Sequence, residues 1–390
     1  MALILEPFYH GSHKYWCDVL STLGSSVNPV RVVGMPGGSK WHWRMLASAA
    51  HFAMTVTEEE LQHVDTVVVS AMTNLAELAG LVPALAAKRK VLYFHENQLE
   101  YPRSGAESRK SAGQADFNLV WNQIASCLCA DKVLFNSEYN LETFYSQIGP
   151  FMNRIPKGAR PPPVDVCALR SKSQVLYIPI TIPLRVARVD ERAKDRPLHL
   201  VWAHRWEHDK NPDGLLELLA EFNKLDPRED GKPYVEVSVL GEVSPATEED
   251  FAQQRAAVAS DNVRVLHWGR VEAREDYLGI LREADVALST SEHEFFGIAM
   301  VEAATCGCFP LCPKRLSYPE LFPKDCLYNT NRQLFKAVKV LSVRPELARK
   351  KMNDPEWQER LLRFQWSSGR GTSAKAWSAT LFPTSNVSSS

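Results

Sequence analysis

The chain has 390 residues, of which 45% are hydrophobic and 23% are charged, and its formal net charge is −1. This composition is ordinary for a globular enzyme, and the length favours two domains over one. A net charge near zero argues against a protein that coats nucleic acid nonspecifically, although it is compatible with a local basic patch.

No apolar run approaches the ~20 residues that span a bilayer, so no membrane partner is expected. The opening stretch MALILEPFYHGSHK lacks the basic region and the cleavage site of a signal peptide. The eight cysteines are spread through apolar segments, as reduced and buried thiols would be, and the spacing of Cys306, Cys308 and Cys312 is not that of paired zinc knuckles. A cytoplasmic location is expected, with the nucleus as a second compartment. The sequence gives no oligomeric state.

Strands and helices alternate along the first half of the chain. Strands are predicted over 2–6, 64–70, 90–94 and 132–136, and helices over about 13–23, 75–87 and 117–129, with Ser137 as the N-cap of a further helix. Such alternation predicts a parallel sheet that helices cover on both faces.

Polar residues follow three of these strands directly, where a parallel sheet binds its ligands. They are Gly11, Ser12 and His13 after the first strand, His95 and Glu96 after the third, and Asn136 after the fourth. A glycine lets the backbone approach a phosphate or sugar, and an imidazole can hydrogen-bond a sugar in either protonation state. A plain tight turn and a structural histidine are the alternatives.

Two loops of the first half carry aromatic and basic residues. The stretch 37–44 contains Trp41, Trp43 and Arg44, and the stretch 88–110 contains basic residues at 103, 109 and 110. Exposed aromatic rings beside an arginine could stack on nucleic-acid bases. A core-facing tryptophan and simply solvated charges are the alternatives.

Composition changes between 155 and 197, where prolines and charges exclude most helices. The domain junction is therefore predicted near residue 190, which gives domains over 1–190 and 191–350. A terminal helix is expected over 351–366, and the Ser-rich stretch 367–390 is expected to be disordered.

The second half repeats the strand and helix alternation. Strands are predicted over 198–203, 235–240, 263–268, 286–290 and 309–312, with helices near 212–223, 247–259, 274–283 and 298–306. The predicted fold class is therefore α/β, with two doubly wound Rossmann-like domains facing a cleft. The sequence pattern alone permits other pairs of Rossmann-like domains equally well.

Charged residues in the second half suggest a site for a sugar nucleotide. Arg205 and Lys210 follow the first strand of this half, where they could neutralise a diphosphate, with a surface salt bridge to Glu207 or Asp209 as the alternative. The stretch 284–308 reads as strand, polar turn and helix, with Glu294 in the turn and the helix beginning near Gly297 and Ile298. A helix start holds phosphate through its N–H groups, and the flanking carboxylates of Glu294 and Glu302 can bind hydroxyls.

These residues resemble the donor signature of the retaining family-4 glycosyltransferases. Glu294 and Glu302 are separated by seven residues with Phe296 and Gly297 between them, and Arg205 and Lys210 resemble the paired cations of that family. The stretches ILEPFYHGSHK at 4–14 and YFHENQLEYP at 93–102 resemble a narrower branch, the tRNA-queuosine mannosyltransferases.

The resemblance implies the GT-B fold and a retaining transfer of mannose from GDP-mannose to the cyclopentenediol of queuosine. The acceptor would be the wobble position in the anticodon loop of tRNA-Asp. Glu294 would position the donor sugar, Glu302 would accept from the ribose hydroxyls, and His95 would contact the sugar from the other domain. The remaining donor-binding residues would be Arg205, Lys210, Phe296, Gly297 and Ile298.

No cofactor is expected beyond the donor itself. The chain contains no Asp-x-Asp triplet of the kind that holds a divalent ion in metal-dependent transferases, so the leaving-group charge would fall on protein cations and a helix start. Residue chemistry does not separate GDP from UDP. Two other functions are compatible with the sequence: a family-4 enzyme acting on a lipid or small metabolite, and a noncatalytic module that binds sugar nucleotides.

Overall fold

The computed structural model describes residues 1–35, 41–100, 114–185, 196–243, 248–366 and 372–383. The chain divides into two compact units, the first formed by 1–179 with 371–390 and the second by 180–370. The prediction of two α/β domains is confirmed, and the boundary lies earlier than the predicted residue 190. The glycine-rich residues 36–40 and the predicted basic residues Arg103, Arg109 and Lys110 lie outside the described residues.

The first unit contains a six-stranded, fully parallel sheet in the order β2-β1-β3-β4-β5-β6. Its strands are β1 Ala2–Glu6, β2 Val30–Gly34, β3 Thr66–Ser70, β4 Arg89–Phe94, β5 Lys132–Phe135 and β6 Ser173–Val175. Every residue of β1 and β3 is buried, because helices cover both faces of a parallel sheet. The edge strands β2 and β6 were not predicted; they are short and only partly buried, so their hydrophobic pattern is weak.

Local sequence signals account for the helix ends in this unit. Ser137 caps its helix as predicted, since its hydroxyl accepts from the backbone N–H of Asn140. Pro83 divides the predicted helix 75–87 into an α-helix and a 3₁₀ segment, because proline disfavours a helical residue before it. The helices are Gly11–Ser21, Trp41–Thr55, Glu58–Gln62, Leu75–Leu81, Gln114–Cys129, Glu138–Met152 and Val166–Ser171, and the 3₁₀ segment is Pro83–Ala87.

A last helix, Thr372–Leu381, also belongs to the first unit. Trp377 is completely buried, with its ring centroid 5.7 Å from that of Trp16 and 5.2 Å from that of Tyr93, and its indole N–H donates to the carbonyl of Tyr177 at 3.3 Å. The prediction of a disordered stretch over 367–390 is therefore wrong for 372–381. The serine-rich composition of this stretch did not indicate that the buried side chain of Trp377 anchors it to the first unit.

The second unit contains another six-stranded parallel sheet, in the order β12-β11-β10-β7-β8-β9. Its strands are β7 Leu198–Trp202, β8 Val235–Val239, β9 Val263–Trp268, β10 Val286–Leu288, β11 Phe309–Pro313 and β12 Leu327–Tyr328. The chain reverses its direction of winding between β7 and β10, which are hydrogen-bonded neighbours. Ligands of doubly wound sheets bind at the carboxyl ends of the strands at such a switch point.

Four helices of the second unit lie at the predicted positions, whereas Tyr318–Leu321, Asn331–Val343 and Glu346–Met352 were not predicted. The helices of this unit are Pro212–Asn223, Glu248–Val258, Arg274–Glu283, Ile298–Thr305, Tyr318–Leu321, Asn331–Val343, Glu346–Met352 and Pro355–Leu362. The expected terminal helix over 351–366 is shorter, because Asp354 caps a new helix at Pro355 and ends the preceding one. Among the described helices, none combines the length and apolar character needed to cross a lipid bilayer.

Candidate active site

The loops that follow β7 and β10 are fastened to each other at the switch point. The carbonyl of Asp209 accepts from the backbone N–H groups of Glu292 and His293, at 2.9 and 3.1 Å. The hydroxyl of Thr290 donates to the carbonyl of Lys210 at 2.8 Å and accepts from the buried indole of Trp202 at 3.0 Å. These bonds give the side chains on the two loops fixed positions.

Lys210 lies at the centre of this junction. Its ammonium nitrogen Nζ is 3.2 Å from a carboxylate oxygen of Glu294 and 3.1 Å from one of Asp209, and it donates to the carbonyl of His293 at 2.8 Å. Burial alone would lower the pKa of Lys210, but the carboxylates of Glu294 and Asp209 outweigh burial and raise it. Lys210 is therefore a fixed, permanently charged cation.

Glu294 bridges Lys210 and the start of the next helix. Its Oε2 contacts Lys210, and its Oε1 accepts from the backbone N–H of Phe296 at 3.4 Å. Burial would raise the pKa of this carboxyl, but Lys210 and His204 hold it below its usual value. Glu294 is therefore ionised at neutral pH and can accept hydrogen bonds through both carboxylate oxygens.

The helix Ile298–Thr305 begins where predicted, after Gly297 in the left-handed conformation with φ of 85°. A Cβ at this position would lie 2.9 Å from a ring carbon of Tyr318 and 3.4 Å from the Cγ of Glu294, so only glycine fits. Phe296 is buried, and its ring packs against that of Phe364. The structure therefore brings Glu294, Phe296, Gly297 and Ile298 together as the sequence predicts.

Arg205 is placed differently from Lys210. Its guanidinium is 3.1 Å from a carboxylate oxygen of Glu207, and its side chain is 53% exposed compared with 12% for Lys210. The surface pair with Glu207 that the sequence left open is thus formed. Arg205 nevertheless lies close enough to Lys210 for the two positive charges to interact.

Glu302 is buried one and a half turns into the same helix. The guanidinium of Arg274 donates two hydrogen bonds to the carboxylate of Glu302, one to each oxygen. Burial raises the pKa of Glu302 despite this cation. The predicted contact of Glu302 with ribose hydroxyls stays a prediction. Sequence reasoning missed Arg274, and a ribose bound to Glu302 would share the carboxylate with this guanidinium.

His204 is a second residue that sequence reasoning missed. It is buried beside the Lys210 and Glu294 pair, and burial, then the charge of Lys210, lowers its pKa to about 4. A Cβ on Gly241 would overlap the carbonyl oxygen of His204, so the loop after β8 closes directly over the loop after β7. The first histidine of the stretch WAHRWEHDK was the available signal, but the sequence does not show that it is buried.

The first unit gathers three ionisable side chains at the carboxyl end of its sheet. Glu6, which ends β1, is completely buried, with Oε1 3.1 Å from Nδ1 of His13 and Oε2 3.4 Å from Nε2 of His95. The two imidazole rings are stacked with centroids 3.9 Å apart. Both histidines lie at the carboxyl end of the sheet, as predicted, and their contact was not predicted. Glu6 was missed because a glutamate that ends a strand has no feature that separates it from an ordinary surface residue.

Burial and charge fix the protonation of this cluster. Burial would raise the pKa of Glu6, but His13 and His95 together hold it far below its usual range. Burial, followed by the charge of His13, lowers the pKa of His95 to about 4. Within the described ranges, one ligand atom from each of the three side chains lies within 4.8 Å of the others, so the group could also hold a metal ion.

The other predicted residues of the first unit are Gly11, Ser12, Glu96 and Asn136, and they differ in exposure and in hydrogen bonding. Gly11, with φ of 51°, and Ser12 are exposed at the start of the helix Gly11–Ser21. Asn136 is buried, and its amide donates to the backbone carbonyl of His95 at 2.7 Å, so it supports the loop after β4, and its predicted contact with a ligand stays a prediction. The side chain of Glu96 is half-buried, and its carbonyl accepts from the amide of Gln123 at 3.4 Å.

The arrangement in the second unit suits an anionic ligand. A buried cation and the N–H groups of a helix start at the switch point can hold phosphate oxygens, while the Glu294 carboxylate beside them can accept from hydroxyl groups. Two doubly wound units with such a site are the features of a glycosyltransferase of the GT-B type. The chain matches the family described as tRNA-queuosine alpha-mannosyltransferase N-terminal over residues 1–180 and the family described as Glycosyl transferases group 1 over 186–325.

A curated relative extends this match over most of the chain. The tRNA-queuosine alpha-mannosyltransferase of Drosophila melanogaster is 39% identical over 359 residues, which cover 89% of this chain and 88% of the relative. The chain therefore belongs to the tRNA-queuosine alpha-mannosyltransferase family and is a glycosyltransferase. The resemblance seen in the sequence is confirmed.

Solved structures support the fold. Anabaena HepE, crystallised with UDP and glucose, superposes with a TM-score of 0.61 at 15% identity, covering 94% of this chain and 96% of HepE. The N-terminal domain of Candida albicans trehalose-6-phosphate phosphatase superposes with a TM-score of 0.62 at 13% identity, covering 97% of this chain and 95% of that domain. At such identities the likeness concerns the fold alone.

Proposed function

We propose that the protein transfers mannose from GDP-mannose, with retention of configuration, to the cyclopentenediol of queuosine at the wobble position of tRNA-Asp. The observation that carries the donor half is the Lys210 and Glu294 pair at the start of the helix Ile298–Thr305, at the switch point of the second sheet. The acceptor half rests on the identity to the Drosophila enzyme, which is named for tRNA-queuosine.

The donor diphosphate would lie against Lys210 and the N–H groups that follow Gly297. Lys210 is already placed by Asp209 and Glu294, so it needs no reorganisation when the leaving-group charge develops. Arg205, on the exposed side of the same loop, would add a second and more strongly screened charge. We propose that this cationic surface replaces a divalent ion and that the reaction needs no cofactor besides the donor and the acceptor.

Glu294 would accept hydrogen bonds from hydroxyl groups of the mannose, since its carboxylate is held ionised beside the diphosphate site. Glu302 would bind the ribose while still contacting Arg274. The departing diphosphate would help to remove the proton from the acceptor hydroxyl, on the same face of the sugar. His95 and the loop around it belong to the unit that would receive the acceptor.

Two exposed tryptophans offer a surface for the tRNA. Trp41 and Trp43, in the first turn of the helix Trp41–Thr55, are 45% and 60% exposed, which excludes the core-facing alternative for both. Arg44 is buried between them and the β1 loop, where it donates to the carbonyl of Pro7 at 2.7 Å. The anticodon loop presents unstacked bases, and aromatic side chains bind such bases by stacking.

A cytoplasmic location, with the nucleus as a second compartment, is part of this proposal because the acceptor is tRNA.

The test is a transfer assay with radiolabelled GDP-mannose and four RNA substrates. These are tRNA-Asp with and without queuosine, a second queuosine-containing tRNA, and an unmodified bulk tRNA. Label in queuosine-containing tRNA-Asp alone is expected. Label from UDP-sugars, or in a lipid or metabolite fraction with none in any tRNA, would refute the proposed substrates. Binding of GDP-mannose without turnover on any acceptor would indicate a noncatalytic module.

A further inference from the structure

The buried cluster at the end of β1 has a geometry of its own. One carboxylate, that of Glu6, faces two imidazoles through separate oxygens: Oε1 faces Nδ1 of His13 and Oε2 faces Nε2 of His95. The rings are stacked face to face at an interplanar angle of 29°, so the two nitrogens approach different ends of the carboxylate. In this arrangement one buried carboxylate faces a ring nitrogen of each imidazole at ion-pair distance, so its charge can orient both rings.

The two histidines differ in their access to ligands. His95 is enclosed by the rings of Trp16 and Tyr93, each with its centroid 4.8 Å away and nearly perpendicular, and its side chain is 5% exposed. His13 lies in the first turn of the helix Gly11–Ser21, next to the exposed residues Gly11 and Ser12, and its side chain is 18% exposed. A ligand at the carboxyl end of this sheet therefore reaches His13 before His95.

The contact with Glu6 also determines which ring nitrogen of His13 can hydrogen-bond a ligand. An ionised carboxylate oxygen 3.1 Å from Nδ1 of His13 favours a proton on that nitrogen, and Nε2 lies on the other side of the ring. Glu6 is suited to this task, because its pKa is far below the usual range and it stays ionised throughout the neutral range. His95, whose pKa is about 4, stacks on His13 as a neutral ring.

We propose that Glu6 is a positioning residue that fixes the ring of His13, so that Nε2 of His13 hydrogen-bonds a hydroxyl group of the acceptor. The proposal rests on the proposed function, since it places the acceptor on the first unit. No proton of the reacting hydroxyl passes to His13; its role is to orient a neighbouring hydroxyl of the diol. A hydrogen bond to an oriented imidazole of this kind contributes about tenfold in binding, or ~1.4 kcal/mol.

Steady-state kinetics of four variants test the assignment, with queuosine-containing tRNA and GDP-mannose varied separately. Glu6→Gln and His13→Gln are each expected to raise the acceptor KM about tenfold or to lower kcat by a similar factor, with the donor KM within twofold of wild type. The double variant is expected to be no worse than His13→Gln, because Glu6 acts through His13. His10→Gln, an exposed histidine of the same loop, is the matched control and should behave like wild type.

Three outcomes would overturn the assignment: wild-type kinetics for Glu6→Gln, additive losses in the double variant, or a stoichiometric metal ion in the purified protein that His13→Gln removes. If Glu6→Gln does not fold, ¹⁵N NMR of histidine-labelled wild-type protein decides, with the His13 signal assigned from His13→Gln. A protonated Nδ1 is expected, and a proton on Nε2 alone refutes the proposal. Wild-type protein that transfers nothing to tRNA would contradict the proposed function instead, so the two failures are distinguishable.

Discussion

Replacing Lys210 by methionine should disable donor binding far more than replacing Arg205. The Lys210 ammonium lies within 3.2 Å of two carboxylates and is 12% exposed, so methionine would leave the negative charges of Asp209 and Glu294 beside the diphosphate. Unit charges about 4 Å apart interact by roughly 4 kcal/mol at an effective dielectric constant of about 20. Allowing for partial screening, a loss of about 3 kcal/mol is expected, which corresponds to roughly a hundredfold in donor affinity.

Arg205→Met is the internal comparison, because this side chain is half exposed and already pairs with Glu207. Exposed ion pairs contribute up to about 1 kcal/mol, so the expected loss is at most about fivefold. Isothermal titration with GDP-mannose measures both variants, and Lys224→Met, at an exposed lysine paired with Glu221, is the matched control. Thermal unfolding checks that loss of the bond from Lys210 to the His293 carbonyl has not released the loop. Wild-type affinity in folded Lys210→Met, or a larger loss in Arg205→Met, would refute this account of the donor site.

Three further predictions concern backbone strain, packing and pH. Gly297→Ala should weaken GDP-mannose binding at least tenfold by titration, because a Cβ there meets Tyr318 and φ is 85°; unchanged affinity contradicts this. Trp377→Ala should lower the free energy of unfolding of the first unit by about 3–5 kcal/mol in urea titrations, and a loss below 1 kcal/mol would show that the last helix is dispensable. Burial lowers the pKa of His199 to about 4, so the unfolded chain binds more protons than the folded one between pH 4 and about 6.5. The free energy of unfolding therefore decreases as the pH is lowered through that window, by up to about 1.4 kcal/mol per pH unit. His199→Gln, which can still bond Ser238, should flatten this dependence in melting curves from pH 7 to pH 5.

The proximity of Lys210 and Glu294 could be predicted from the sequence, whereas their binding of a donor stays a prediction. Lys210 and Glu294 each follow a strand, and in a doubly wound sheet the ends of the strands at a switch point meet, so their proximity follows from topology. The same reasoning placed His13 and His95 at the ligand edge of the first sheet. It could not assign Glu6, because the last residue of a strand faces the core or the ligand edge according to a register that the sequence does not show.

Other parts of the structure depend on contacts between distant segments. Arg274 reaches Glu302 from the helix before β10, and the backbone of His204 approaches Gly241 so closely that no side chain fits there. The helix Thr372–Leu381 has little hydrophobic pattern of its own, and its stability comes from Trp377 inserting beside Trp16 and Tyr93. Composition alone does not reveal such an anchor, because the contacts of one buried indole can order a segment whose average composition is polar.

The return of the last helix to the first unit makes that unit discontinuous along the chain, with the whole second unit inserted between its two parts. During synthesis, the ribosome completes the second unit before it supplies Trp377. The position beside Trp16 and Tyr93 in the first unit therefore stays unfilled until the chain beyond the second unit has emerged. A truncation that removes Thr372–Leu381 would consequently damage the unit that was translated first.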